Sequence, residues 1–162
     1  MNYIKAQKDV FNKLVSGNRG MGRFSVDEHN ILISPDGYMG YIFPLSSLVI
    51  NIEKIKEMEP IPFKEIVKEE NELKLTPDLR ILDRSTTARR LKGKDKNTFV
   101  NIKFLEHFQN PRFFQEASNL GLIVVTECFS AKDRDVPVGV IRPIRCSFDD
   151  GSYYGDIRKA VQ

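Results

Sequence analysis

The chain has 162 residues, 41% of them hydrophobic and 29% charged, with a formal net charge of +3 at pH 7. That length and balance fit one domain of ordinary size, or two small repeats sharing a core, and exclude a disordered chain. No apolar run reaches the roughly 20 residues that a membrane-spanning helix needs, and the weak positive charge neither demands nor forbids a nucleic-acid partner.

Residues 2–16 are predicted to be the first helix. Ile4, Ala6, Val10, Phe11, Leu14 and Val15 fall mostly on one side at helical spacing, opposite Lys5, Lys8, Asp9, Asn12 and Lys13. Gly17 follows as the residue expected just past a helix end. Residues 23–26 alternate polar and apolar side chains, as a half-buried antiparallel strand does. Two β-rich runs at 31–34 and 38–43 then flank Pro35-Asp36-Gly37. Proline sets φ for the first corner and glycine accepts the positive φ of a hairpin turn, so this stretch is expected to be a central hairpin against which both helices pack. Residues 46–52 read as another strand, with 44–48 alternatively one helical turn before it. Pro60 and Pro62 break any long helix, so residues 60–70 are taken as a connector, with a short helix burying Phe63, Ile66 and Val67.

Beyond the connector, residues 72–76 and 79–83 are expected to form a hairpin around Pro77-Asp78, echoing Pro35-Asp36, with a third strand at 86–91. A turn at 92–97 leads to a short strand and then a helix from about Asn101, a favourable N-cap, with Ile102, Phe104, Leu105 and Phe108 on its apolar side. Asn110-Pro111 ends that helix, and residues 113–119 read as a further helical turn. Residues 122–126 are the most apolar strand. Residues 136–144 are a strand carrying Pro137 and Pro143 near its ends, and the tail from Phe148 has turn chemistry. The result is an α+β fold of two helices packed on mostly antiparallel curved sheets. It forms one domain over 1–162, with possible halves 1–59 and 71–145 of β-α-β type.

Several words of sequence resemble those of bacterial DNA sliding clamps. Asp36-Gly37-Tyr38-Met39 stands where clamp domains often carry Asp-Gly-His-Arg on a central hairpin, with the His and Arg replaced. Phe99-Val100-Asn101-Ile102-Lys103-Phe104-Leu105, the strand at 122–126, and Pro137-Val138-Gly139-Val140-Ile141-Arg142-Pro143 are similar to the ending of the family's last domain. The resemblance covers residues 1–145 and one of the three domains of such a chain. It implies helices that face DNA with basic residues, here Lys5, Lys8 and Lys13 on the first helix and Lys103 on the second, and assembly of several copies into a ring. A lone domain of this kind would suit a phage or mobile element.

The residues themselves supply one strong charge feature. Arg84, Arg89, Arg90, Lys92, Lys94 and Lys96 stand against a single Asp95, and arginine forks and lysine point charges both suit phosphates. Such lysines also protect sheet edges from aggregation, which is the plainer reading. A second pattern, Pro35-Asp36 with Glu72-Leu73-Lys74, matches in outline the carboxylates and lysine of metal-dependent nucleases. His29 and His107 are isolated, no Ser-His-Asp or Cys-His grouping is visible, and no cofactor motif is read. Gly17, Gly20 and Gly22 follow a helix instead of preceding one, the wrong order for phosphate binding. Cys128 and Cys146 are expected to be buried or half-buried thiols, and Tyr38, Tyr41, Tyr153 and Tyr154 either pack at the core rim or line a binding surface. The N-terminal residues put charge where a secretory signal needs an apolar core, which predicts a cytoplasmic protein. The leading expectation is a non-catalytic binding module, clamp-like, acting through nucleic acid or a DNA-processing protein, as one copy or as a homo-oligomer. The alternative is a nuclease using Asp36, Glu72 and Lys74.

Overall fold

The computed structural model describes residues 1–17, 20–94, 96–116, 121–128 and 135–144. The expectations for Cys146, Tyr153, Tyr154 and the tail lie outside these residues. Three helices, α1 (Tyr3–Val15), α2 (Phe63–Ile66) and α3 (Ile102–Leu105), accompany ten strands. The strands are β1 (Gly22–Ser25), β2 (Asn30–Ser34), β3 (Met39–Pro44), β4 (Glu57–Met58), β5 (Glu72–Ile81), β6 (Thr87–Lys92), β7 (Asn97–Asn101), β8 (Pro111–Phe114), β9 (Ile123–Glu127) and β10 (Val136–Ile141). They line up in the order β4-β1-β2-β3-β10-β9-β8-β5-β6-β7, antiparallel throughout except for the β1–β4 pair. The α+β class and the antiparallel character are therefore as expected.

The β2–β3 hairpin is the middle of one arm of this sheet. Gly37 takes φ 78°, a value that a side chain would strain. Asp36 Oδ1 accepts the N–H groups of Tyr38 (2.9 Å) and Met39 (3.3 Å), and Ser34 Oγ accepts that of Gly37. Both faces of the hairpin are buried, which explains its nearly continuous apolar run. Ile31, Ile33, Tyr41 and Phe43 meet Ala6 and Val10 of α1, while Leu32 and Ile42 turn to Phe63 and Ile66 of α2. The helix within the connector thus covers the second face of the sheet.

Helix α1 starts at Asn2, whose side chain caps the Lys5 N–H at 3.0 Å. Its inner stripe is Tyr3, Ala6, Val10 and Leu14, and Ala6 and Val10 have no exposed surface. The single apolar side expected from the sequence is in fact divided. Ile4 (84% exposed), Phe11 (54%) and Val15 (70%) face outward with Lys8, because a helix of this radius can set only one i, i+3, i+4 stripe against a flat sheet.

The far arm of the sheet curls. Ile144, three residues past β10, donates its N–H to the carbonyl of Phe99 on β7 at 2.8 Å. Three residues span about 10 Å, whereas five strand steps from β10 to β7 in a flat sheet would cover about 24 Å. The strands β10 to β7 must therefore bend round into a partly closed barrel, and the free edge of β7 is bridged.

Five local expectations are corrected. Pro77-Asp78 is not a hairpin turn; it lies inside the ten-residue β5, where the pairing with β6 shifts register between Leu75 and Leu79. Proline cannot donate to a ladder, and the chain accommodates it as a bulge. The turn itself falls at Asp83, whose Oδ1 accepts the N–H groups of Ser85 (2.7 Å) and Thr86 (2.8 Å). Residues 45–47 form a single 3-10 turn, the alternative expected there, and residues 48–52 are irregular instead of a strand. Residues 111–114 form β8, so the helical turn expected from 113 does not start there, and its residues 117–119 lie outside the described ones; Phe113 and Phe114 are buried on opposite faces. The second helix, α3, has only four residues. Cys128 is exposed, since β9 ends one residue before it.

Candidate functional site

The charged segment resolves into two faces once the strands are paired. Lys74 stands opposite Lys92, Arg80 opposite Ala88, and Arg90 opposite Phe99. Residues directly opposite in an antiparallel pair share a face, so Lys74, Arg80, Arg90 and Lys92 lie on one face of β5–β7, with Asn97 and Asn101 beside them. Leu75, Leu79, Arg89, Leu91 and Val100 lie on the other.

Arg90 is held firmly on this face. Its Nε and Nη2 donate to Asn97 Oδ1 at 3.2 and 3.0 Å, and its Nη1 donates to Asp78 Oδ2 at 3.0 Å. Thr76 Oγ1 donates to the Arg90 carbonyl at 3.0 Å, and Arg89 Nε donates to the Thr76 carbonyl at 2.7 Å. The two arginines thus stitch the bulge at Pro77: one takes the carbonyl that the interrupted ladder leaves over, and the other anchors Asp78. Arg89→Ala should cost about 1–3 kcal/mol by stranding that part-buried carbonyl, whereas Lys92→Gln, at an exposed site, should stay within about 0.5 kcal/mol. Urea unfolding of the two variants checks this.

The remaining predicted cations separate by circumstance. Arg84 and Lys94 are exposed in the turns at either end of β6. Lys96 donates to the Gln115 carbonyl, and burial lowers its pKa, so it serves the fold. Lys5 lies 3.4 Å from Glu106 and Lys13 lies 3.8 Å from Asp36, while Lys8 and Lys103 are exposed. On α1 the lysines alternate with exposed Ile4, Phe11 and Val15, so that helix carries no continuous basic rail.

The nuclease pattern is not brought together. Asp36 lies in the turn before β3 and Glu72 opens β5, four strand steps away in the sheet order, while a shared metal needs both oxygens within about 2.0–2.6 Å of itself. Glu72 is engaged by Arg112 Nε at 2.9 Å and Lys74 Nζ at 2.6 Å. The Arg112 hydrogen bond is the main reason its carboxyl sits below the usual range. Among the described residues no three His, Cys, Asp or Glu side chains are grouped to hold a metal.

His107 is half-buried against Tyr41. Its Nδ1 lies 3.2 Å from the Tyr41 hydroxyl, which donates to Asp9 Oδ2 at 2.9 Å. Burial lowers the His107 pKa, and burial, followed by the Asp9 charge, raises that of Tyr41. These hydrogen bonds tie α1 to β3. His29 is exposed in the turn before β2.

Sequence reasoning missed Arg80 and the placement of Lys74 on the cationic face. Their signal is cross-strand parity, which the bulge at Pro77 scrambles in the linear sequence. Among the described residues no helix is long and apolar enough to cross a membrane. Compared with known proteins, the chain matches no family model, no curated protein and no solved structure.

Proposed function

We propose that this chain is a non-catalytic binding module that engages nucleic acid through the cationic face of β5–β7. The observation that carries the reading is the pairing of Lys74 directly against Lys92, with Arg80 and Arg90 on the same face. Lys74 is balanced by Glu72 at 2.6 Å and Arg90 by Asp78 at 3.0 Å, so on this face the positive charge that a polyanion would meet comes mainly from Lys92, which stands opposite the like charge of Lys74. Arg90 adds a guanidinium already fixed by Asn97 and Asp78, which reduces the side-chain entropy that binding costs. Arg84 and Lys94 extend the positive strip at its two ends, and phosphate contacts of this kind bind without reading sequence.

Fluorescence anisotropy with labelled single- and double-stranded oligonucleotides tests the proposal. The expected dissociation constant is about 10⁻⁴–10⁻⁶ M at physiological salt, with log K falling linearly against log salt. The variant Lys92→Glu/Lys94→Glu should bind more weakly, and its salt slope should shrink by about 0.7–0.9 for each phosphate that is no longer neutralised. Lys64→Glu, on α2, should behave like the parent chain. No binding at about 50 mM salt, or equal weakening in the Lys64 variant, would overturn the assignment.

A further inference from the structure

A groove of about 570 Å³ opens on the α2 side of the sheet, between β1, the β2–β3 turn and the adjoining ends of β9 and β10. That volume lies in the roughly 300–1,000 Å³ range of small-molecule sites. Phe24, Leu32, Met58 and Val140 line it from the sheet, and Ile61 and Leu122 from adjoining irregular segments. Tyr38, 58% exposed, also borders it.

Its charge among the described residues is one-sided: Lys56 and Arg142 line the groove, and no carboxylate of those residues does. Neither cation is ion-paired among the described residues, whereas the nearby acids are committed elsewhere: Glu57 to Arg23 at 2.9 Å, and Asp36 to Lys13 and to the hairpin N–H groups. An apolar slot whose described lining holds two cations and no acid is complementary to an amphiphilic anion, because a neutral ligand would leave the cations unused and a cationic one would be repelled.

We infer that this groove binds a small carboxylate with an apolar body, the body against Leu32, Val140 and Phe24 and the carboxylate paired with Arg142 or Lys56. Arginine offers a carboxylate two parallel N–H donors, and lysine adds a point charge. The site is separate from the cationic face of β5–β7 and its occupancy does not depend on nucleic acid.

Displacement of the fluorescent apolar sulfonate 1-anilinonaphthalene-8-sulfonate tests it, with decanoate and decanol as competitors. Decanoate should displace the dye at least about tenfold more tightly than decanol, and Lys56→Gln/Arg142→Gln should remove that preference. Both substituted residues are exposed, and an unchanged circular dichroism spectrum and melting temperature establish that the variant is folded. Equal displacement by decanoate and decanol, an undiminished preference in the folded double variant, or no displacement by either competitor would overturn the inference. Tighter displacement by a hexapeptide with a free apolar C-terminus would overturn the assignment to a small molecule.

Discussion

Phe43→Ala should remove about 3–5 kcal/mol of stability. The side chain has no exposed surface and lies beneath α1, with ring centroids 6.3 Å from Tyr3 and 6.0 Å from Tyr41. Truncation loses the transfer free energy of a phenyl ring and leaves a cavity that β2 and β3, paired on both sides, cannot close. Against a total of about 5–15 kcal/mol for a domain, the loss should lower the urea midpoint by about a fifth or more with little change in slope. Phe11→Ala is the matched control: its ring is 54% exposed and its loss should stay within about 0.5 kcal/mol. The reverse order of effects would mean that α1 packs through its other face.

Gly139→Ala should be the next most damaging change, although it adds one methyl group. A Cβ at that position would lie 2.5 Å from the Gly40 carbonyl oxygen and 2.9 and 3.0 Å from two carbons of the Phe108 ring. A ring can turn, but a backbone carbonyl in a paired strand cannot, so β10 must move away from β3. That seam, Gly139 opposite Tyr41 and Val140 opposite Gly40, joins the two arms of the sheet. Overpacking there should cost about 1–3 kcal/mol or more, and Gly139→Val should cost more than alanine. Urea unfolding measures the loss, and faster amide exchange in β3 than in β6 would locate it at the seam. An alanine variant as stable as the parent would show that the strands do not approach so closely.

These two sites show unequally in the sequence. Phe43 sits in an apolar run beside a turn of proline, aspartate and glycine, where burial is expected from local pattern alone. Gly139 reads only as a glycine in a strand, a hint of close approach without the partner that makes it close. The same contrast runs through the charged residues. Their abundance between 84 and 96 is plain from the sequence, but which of them form a surface depends on register. Arg89 and Arg90 are adjacent, yet they fall on opposite faces and hold a bulge together, while Lys74 and Arg80 join Arg90 and Lys92 from another strand.

By itself the sequence determined the class, the β2–β3 hairpin, the N-terminal helix and most strands after it, because each follows from local periodicity, a cap or turn chemistry. Tertiary structure alone decided which side of α1 is buried, where β5 bulges, how β7 is bridged by Ile144, and which cations share a face. Those features rest on contacts between residues far apart in the chain, where the energy is set by pairing and packing and no short window of sequence carries it. The hairpin that the sequence marks as central is central to one arm of the sheet, and the proposed function lies on the other.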